Sequence, residues 1–281
     1  MKEYYAGRKG LIKQKLKLDL YELNSYFYQL YSYFNNKQYF NVARKGVWDK
    51  KDKYSDLEQI VEPTFVPSEE VFFSTILQNS EVLPIHQHYQ EYTEEIVFSI
   101  IEILYDHISI FDYKSKKIDK ELPQLEYAEQ INNILRFYGE GFYLEPKNGF
   151  IMKIPNEALM QQLSYSGDEM KDDVYERLCS ATRTYYRFDS DLEMKKKAIT
   201  TLGDIYESSR EEVKELFNSE YGMSKNSHDK LIFGILNEFN IRHDRADQKG
   251  DYSKEIWYDW MMQYYTSVII AYYRLLSKYS K

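Results

Sequence analysis

Residues Ser253 to Tyr279 read SKEIWYDWMMQYYTSVIIAYYRLLSKY. Ser253 stands where a helix N-cap would. Behind it Trp257, Trp260 or Met261, Tyr264, Val268, Tyr272, Leu275 and Tyr279 follow at three- and four-residue steps. That spacing predicts one long helix with an apolar stripe turned to a core. Neither Gly nor Pro interrupts it.

The chain before it has the same character. Asn226-Ser227-His228-Asp229 opens a short helix carrying Leu231, Ile232, Ile235, Leu236 and Phe239. Ser190-Asp191-Leu192-Glu193 matches a capping box, with Ser190 as N-cap and Glu193 reaching back. The helix behind it carries Ala198, Leu202, Ile205, Val213 and Leu216, and residues 169–187 predict another. About four helices in ~110 residues make a compact bundle. The expected organisation is a helical N-terminal region over 1–165 and a bundle over 168–281.

In the N-terminal region, helices are expected over 16–35, 87–111 and 124–138, with Ser68 capping another after two prolines. The stretch 35–53 is polar and reads as a loop. One β-signal stands out: Phe142-Tyr143-Leu144 and Phe150-Ile151-Met152 flank Asn148-Gly149, a hairpin turn pair. A hairpin within 142–153 fits a lid or clamp, or a plain connector packed on helices. The expected class is all-α with this one short hairpin.

Composition agrees. With 11 Gly and 6 Pro in 281 residues, a turn-rich all-β fold is excluded. A single cysteine, Cys179, rules out an internal disulfide and a thiolate zinc site, and fits a reducing cytoplasm. The formal net charge of −8 argues against simple, nonspecific RNA binding. The N-terminal stretch is locally basic but lacks an apolar segment of signal-peptide length, and no apolar run reaches a membrane span. The 29 tyrosines suit AT-rich coding DNA, and also a partner-binding surface.

The standard nucleotide-binding, zincin and hydrolase motifs are absent. His86 and His88 read as exposed loop histidines, His107 as a hydrogen-bonded helix residue, and Cys179 as an inert buried thiol. The chemically informative segment is Phe233 to Gln248, where Asn237, Arg242, His243, Asp244, Arg245 and Gln248 gather between two apolar helices. Imidazole exchanges a proton near neutral pH, and guanidinium holds a phosphate with two parallel bonds. Together they suit metal-free phosphodiester cleavage, with Asp244 orienting the imidazole. The same residues also suit a capping and salt-bridge knot between the two helices.

The string Asn237-x-x-x-Ile241-Arg242-His243, followed by Gln248, Tyr252, Ile256-Trp257 and Trp260-Met261, resembles the C-terminal part of bacterial HEPN-type proteins, including AbiJ-like abortive-infection phage-defence proteins. Ala198-Ile199, Leu202, Glu207 to Arg210 and Leu231-Ile232-Phe233 resemble the preceding helices. The resemblance spans about 168–281. It implies a four-helix up-and-down bundle that forms a homodimer, with the Arg/His loop at the interface. It further implies metal-independent RNA cleavage without a cofactor, with Arg242 and His243 catalytic and Asn237, Asp244, Arg245, Gln248 and Glu207 in support. RNA and a phage or host protein trigger are the implied partners. The family's nucleases separate Arg and His by several residues, whereas here His243 directly follows Arg242. The segment therefore fits either a variant nuclease site or a non-catalytic RNA- or protein-binding module.

Overall fold

The computed structural model describes residues 5–9, 16–50, 56–154, 170, 172–221, 234–239, 241 and 252–279. The chain divides into two compact units, Met1–Lys153 and Ile154–Lys281. Its described residues are predominantly helical, with three two-stranded antiparallel sheets.

In the first unit the helices are α1 Tyr5–Arg8, α2 Leu20–Asn36, α3 Asn41–Lys45, α4 Glu69–Leu77, α5 Ile85–His88, α6 Glu94–His107 and α7 Glu121–Leu135. The strand pairs are β1 Val47–Lys50 with β2 Leu57–Val61, β3 Ile110–Asp112 with β4 Lys117–Asp119, and β5 Phe142–Leu144 with β6 Ile151–Lys153. The expected hairpin is β5–β6. The other two pairs correct the all-α expectation. Burial alternates along β1, but its half-buried third position is Asp49 and the apolar Trp48 is exposed, so the residue types do not mark a strand in the sequence.

Helix starts follow side-chain caps rather than the first apolar residue. The Glu22 N–H donates to the Asp19 carboxylate at 2.8 Å, and the Asp19 N–H donates back to Glu22 at 3.0 Å. So α2 begins at Leu20, not at residue 16. Leu18 is buried in extended backbone instead, its N–H donating to the Phe137 carbonyl at 2.8 Å. Likewise Thr93 caps α6, and the chain after His107 turns into β3. The stripe read for α6 holds: Val97, Ile100, Ile101, Leu104 and Ile108 are all buried. With Leu23, Phe27 and Phe34 of α2 and Tyr127, Ala128, Ile131 and Leu135 of α7, they form the core of this unit.

Two strands alone are marginal, and β5–β6 is held at both outer edges by helix side chains. Asn132 of α7 accepts from the Leu144 N–H at 2.6 Å and donates to its carbonyl at 3.0 Å. Glu102 of α6 accepts from the Ile151 N–H at 2.6 Å. The hairpin is thus bolted to the core as a structural element.

In the second unit the labelled helices are α8 Asp172–Tyr186, α9 Leu192–Ser208, α10 Arg210–Tyr221 and α11 Lys254–Tyr279, with a further helical turn over 234–238. They share one core containing Leu178 and Tyr185 of α8, Ile199, Leu202 and Ile205 of α9, Val213 of α10, and Leu236. The start of α9 differs from the expected box. Asp191 is the N-cap, accepting from the Met194 N–H at 2.8 Å, while the Ser190 hydroxyl donates to the Thr184 carbonyl at 2.7 Å. The single helix expected over Ala198–Leu216 breaks at Ser209.

The long terminal helix forms as expected, and of its expected stripe Met261 and Tyr272 are buried while Tyr264, Val268 and Leu275 pack half-buried against the core. Tyr258, Met261, Met262, Tyr265, Ile269, Ile270, Tyr272 and Tyr273 are buried. Trp257 and Trp260 are exposed, and Tyr264 and Val268 are half-buried. Both sets have helical spacing, so this helix is apolar on two faces and periodicity alone does not say which one packs. Among the described residues, no helix is long and apolar enough to cross a membrane.

Candidate functional site

Of the segment expected to carry chemistry, the structure describes 234–239 and 241, and the chain resumes at 252. Arg242, His243, Asp244, Arg245 and Gln248 lie outside the described residues. Before them, Ile241 is buried, its N–H donating to the Leu236 carbonyl at 3.2 Å. Its own carbonyl accepts from the Thr200 hydroxyl of α9 at 3.3 Å. After them, the Tyr252 hydroxyl donates to the Phe239 carbonyl at 2.7 Å, and the two rings meet edge to face at 5.1 Å. Burial raises the Tyr252 pKa, which keeps the hydroxyl a donor at neutral pH.

Of the supporting residues, Asn237 is exposed on the helical turn that ends in this anchor. Glu207 is exposed near the C-terminal end of α9, about 10 Å further along that helix than Thr200 at 1.5 Å per residue. The anchor therefore gathers Asn237, Ile241 and Tyr252 at one place and carries Glu207 away from it.

An aromatic file starts at the same base. Phe239 lies 4.7 Å from Trp257, Trp257 meets Trp260 edge to face at 5.6 Å, and Trp260 stacks on Tyr264 at 5.1 Å. Phe239 is buried in the core and Tyr264 packs half-buried against it, whereas Trp257 and Trp260, the latter an alternative to Met261 on the expected stripe, are exposed.

A second polar group in this unit had no signal in the sequence, because its members are 74 residues apart. The Tyr185 hydroxyl of α8 donates to Asp259 of α11 at 2.5 Å. Lys195 of α9 lies 4.0 Å from the same carboxylate and 5.2 Å from the Tyr185 ring. Burial, then the hydrogen bond to Asp259, pushes the Tyr185 pKa far up, so it acts as a fixed donor and not as a base. Beside this group lies an open cleft of about 440 Å³ lined by Ser190, Asp191, Leu192, Glu193, Lys195 and Glu255.

In the first unit, polar side chains tie helices together. Arg44 of α3 makes two parallel 2.8 Å bonds to Glu69 in the first turn of α4, and donates to Tyr31 at 2.8 Å and to Asn35. Glu126 of α7 accepts from Lys37 at 2.5 Å and from the Tyr39 hydroxyl at 2.8 Å. The Lys37 hydrogen bond holds the Glu126 carboxyl below its usual range. His86 and His88 lie on the single turn of α5, so the two rings do not share a strand face. His107 is half-buried with Nδ1 2.8 Å from the Ile103 carbonyl, against the rings of Phe65 and Phe72. Cys179 is half-buried. No cluster of metal-ligating side chains occurs among the described residues.

Comparison of the chain with protein-family models, with curated proteins and with solved structures finds no match.

Proposed function

We propose that the second unit is a HEPN-like, four-helix module of bacterial phage defence that acts on RNA in the cytoplasm. The observation that supports this most is the double anchor at Ile241 and Tyr252. Ile241 and Tyr252, the described residues on either side of the Arg/His segment, are each held by a hydroxyl hydrogen bond near Phe239 and the exposed Trp257, a ring whose face suits base stacking. In the chemistry proposed, His243 takes the proton of a ribose 2′-hydroxyl and the 2′-oxygen attacks phosphorus. The 5′-oxygen then leaves with a proton returned by the imidazolium. Arg242 holds the non-bridging oxygens as charge develops on them. Atoms balance with a 2′,3′-cyclic phosphate and a 5′-hydroxyl as products, without metal or cofactor. Asn237, Asp244, Arg245 and Gln248 position the phosphate, and a phage or host protein supplies the trigger.

Two observations favour a second reading, in which the module binds RNA or protein without cutting. His243 directly follows Arg242, and from Arg242 to Glu255 acidic side chains offset the basic ones. Controlled expression in bacteria separates the two. The nuclease reading expects growth arrest and fragmented RNA with wild type, and neither with His243→Ala. Intact RNA with both would leave the binding module.

A further inference from the structure

Three consecutive lysines, Lys195, Lys196 and Lys197, lie in the first half of α9. The first has a task within the fold: Lys195 lies 4.0 Å from the Asp259 carboxylate and 5.2 Å from the Tyr185 ring. Successive residues of a helix point about 100° apart. With Lys195 turned toward α8 and α11, the next two therefore point elsewhere. Lys196 is half-buried and Lys197 is exposed, and neither side chain makes an ion pair among the described residues.

These two side chains bracket the anchor at Ile241. Thr200 stands four residues after Lys196 and three after Lys197, the two spacings that share a helix face. Viewed down the helix, Lys196 falls about 40° to one side of Thr200 and Lys197 about 60° to the other. The Thr200 hydroxyl lies 2.9 Å from the Lys196 carbonyl and 3.3 Å from that of Ile241. The Ile241 carbonyl therefore rests on the helix turn that carries both lysines, and the residue bonded to it is Arg242. Flexible four-carbon stems let both ammonium groups reach a phosphate beside that turn.

Charge changes sign at this anchor. Beyond Thr200 the outward face of α9 carries Asp204 and Glu207, both exposed; before it stand the two lysines. Glu193, a turn earlier still, lines the cleft shared with Glu255. A polyanion laid across the anchor is drawn to the lysine side and repelled on the Asp204 and Glu207 side. With a formal net charge of −8 the chain as a whole does not attract phosphate, so its phosphate contacts have to be local.

We propose that Lys196 and Lys197 hold backbone phosphates next to the one that Arg242 grips. The RNA strand then crosses the basic N-terminal half of α9 and avoids its acidic C-terminal half. The two lysines bind substrate and take no part in bond breaking. The inference rests on the reading of this unit as one that acts on RNA.

The test measures binding and cutting by the full chain separately. Binding is read by fluorescence anisotropy of a labelled single-stranded RNA of mixed sequence, titrated with His243→Ala protein at several salt concentrations. Adding Lys196→Gln and Lys197→Gln should weaken binding about tenfold and lower the slope of log affinity against log salt by about 1.4, at ~0.7 per phosphate contact on a single strand. Lys214→Gln with Lys278→Gln removes the same charge from α10 and α11 and should leave both nearly unchanged. Lys196→Arg with Lys197→Arg should keep the parent slope. With His243 in place, the glutamine pair should raise KM about tenfold and leave kcat within about twofold, because these contacts are the same before and during bond breaking. A glutamine pair that binds like its parent, or a control pair that weakens binding as much, overturns the inference and leaves the RNA reading standing. Lysine-dependent binding by a chain that cuts no RNA removes the nuclease and supports the inference. A chain that binds no RNA overturns both.

Discussion

Replacing Gly149 by alanine should unfold much of the first unit's margin of stability. Gly149 has φ +71°, in the left-handed region that costs a residue with a Cβ about 1–2 kcal/mol. The added Cβ would fall inside contact distance of the Tyr105 ring, with Cε1 at 2.7 Å and Cγ at 3.2 Å. Tyr105 is buried and its hydroxyl donates to the Pro146 carbonyl of the same hairpin, so the ring has nowhere to swing. Overpacking of that kind costs about 1–3 kcal/mol, and a strained hydrogen bond about 1 more. The sum is about 4 kcal/mol, a large share of the ~5–15 kcal/mol that stabilises a domain. Urea titration followed by circular dichroism should show an earlier transition, and amide exchange should place the loss at β5–β6. Gly234 is the contrast. Nothing lies within 4 Å of its added Cβ, so Gly234→Ala should stabilise the second unit by about 0.5–1 kcal/mol through helix propensity. A Gly149→Ala protein within about 1 kcal/mol of wild type would refute the reasoning.

Three further outcomes are expected. Arg44→Met strands Glu69 and Tyr31 at a pair whose side chains are only 18% and 20% exposed, and should cost about 3 kcal/mol in denaturant titration; Arg44→Lys should recover less than half, since one ammonium does not replace the two parallel bonds. Glu126 has a depressed folded pKa, so its support is full above the unfolded carboxylate value of about 4.3 and fades as pH falls through the folded value; Glu126→Gln should flatten the acid limb of the melting-temperature curve and leave neutral pH nearly level in slope. Asp191→Ala should cost about 1 kcal/mol as loss of the α9 cap, and Glu193→Ala almost nothing, whereas a cap at Ser190 closed by Glu193 would give the reverse pattern.

These elements show what was legible in the sequence. Ser68 and the Val97–Leu104 stripe were read correctly, because a polar cap and a one-sided apolar face leave local patterns. Caps at Asp19 and Asp191 were displaced by apolar or hydroxyl neighbours that fit equally well. The pairs β1–β2 and β3–β4 are too short and too polar to alternate visibly. On α11 two apolar faces competed, and the packing of α9, α10 and α8 against it decides which one turns inward. At the candidate site, the cluster of Arg242 and His243 was visible as composition. The anchors at Thr200 and Tyr252 were not, since each joins the segment through long-range contacts of a hydroxyl.

The most direct test of the central claim is cleavage by the purified full chain of a labelled single-stranded RNA in the presence of a chelator. Cleavage that leaves a 2′,3′-cyclic phosphate, fails when the 2′-hydroxyl at the cut site is removed, and is lost in a folded His243→Ala protein is the predicted result. An RNA left whole by wild type, or cut equally by wild type and His243→Ala, would contradict it.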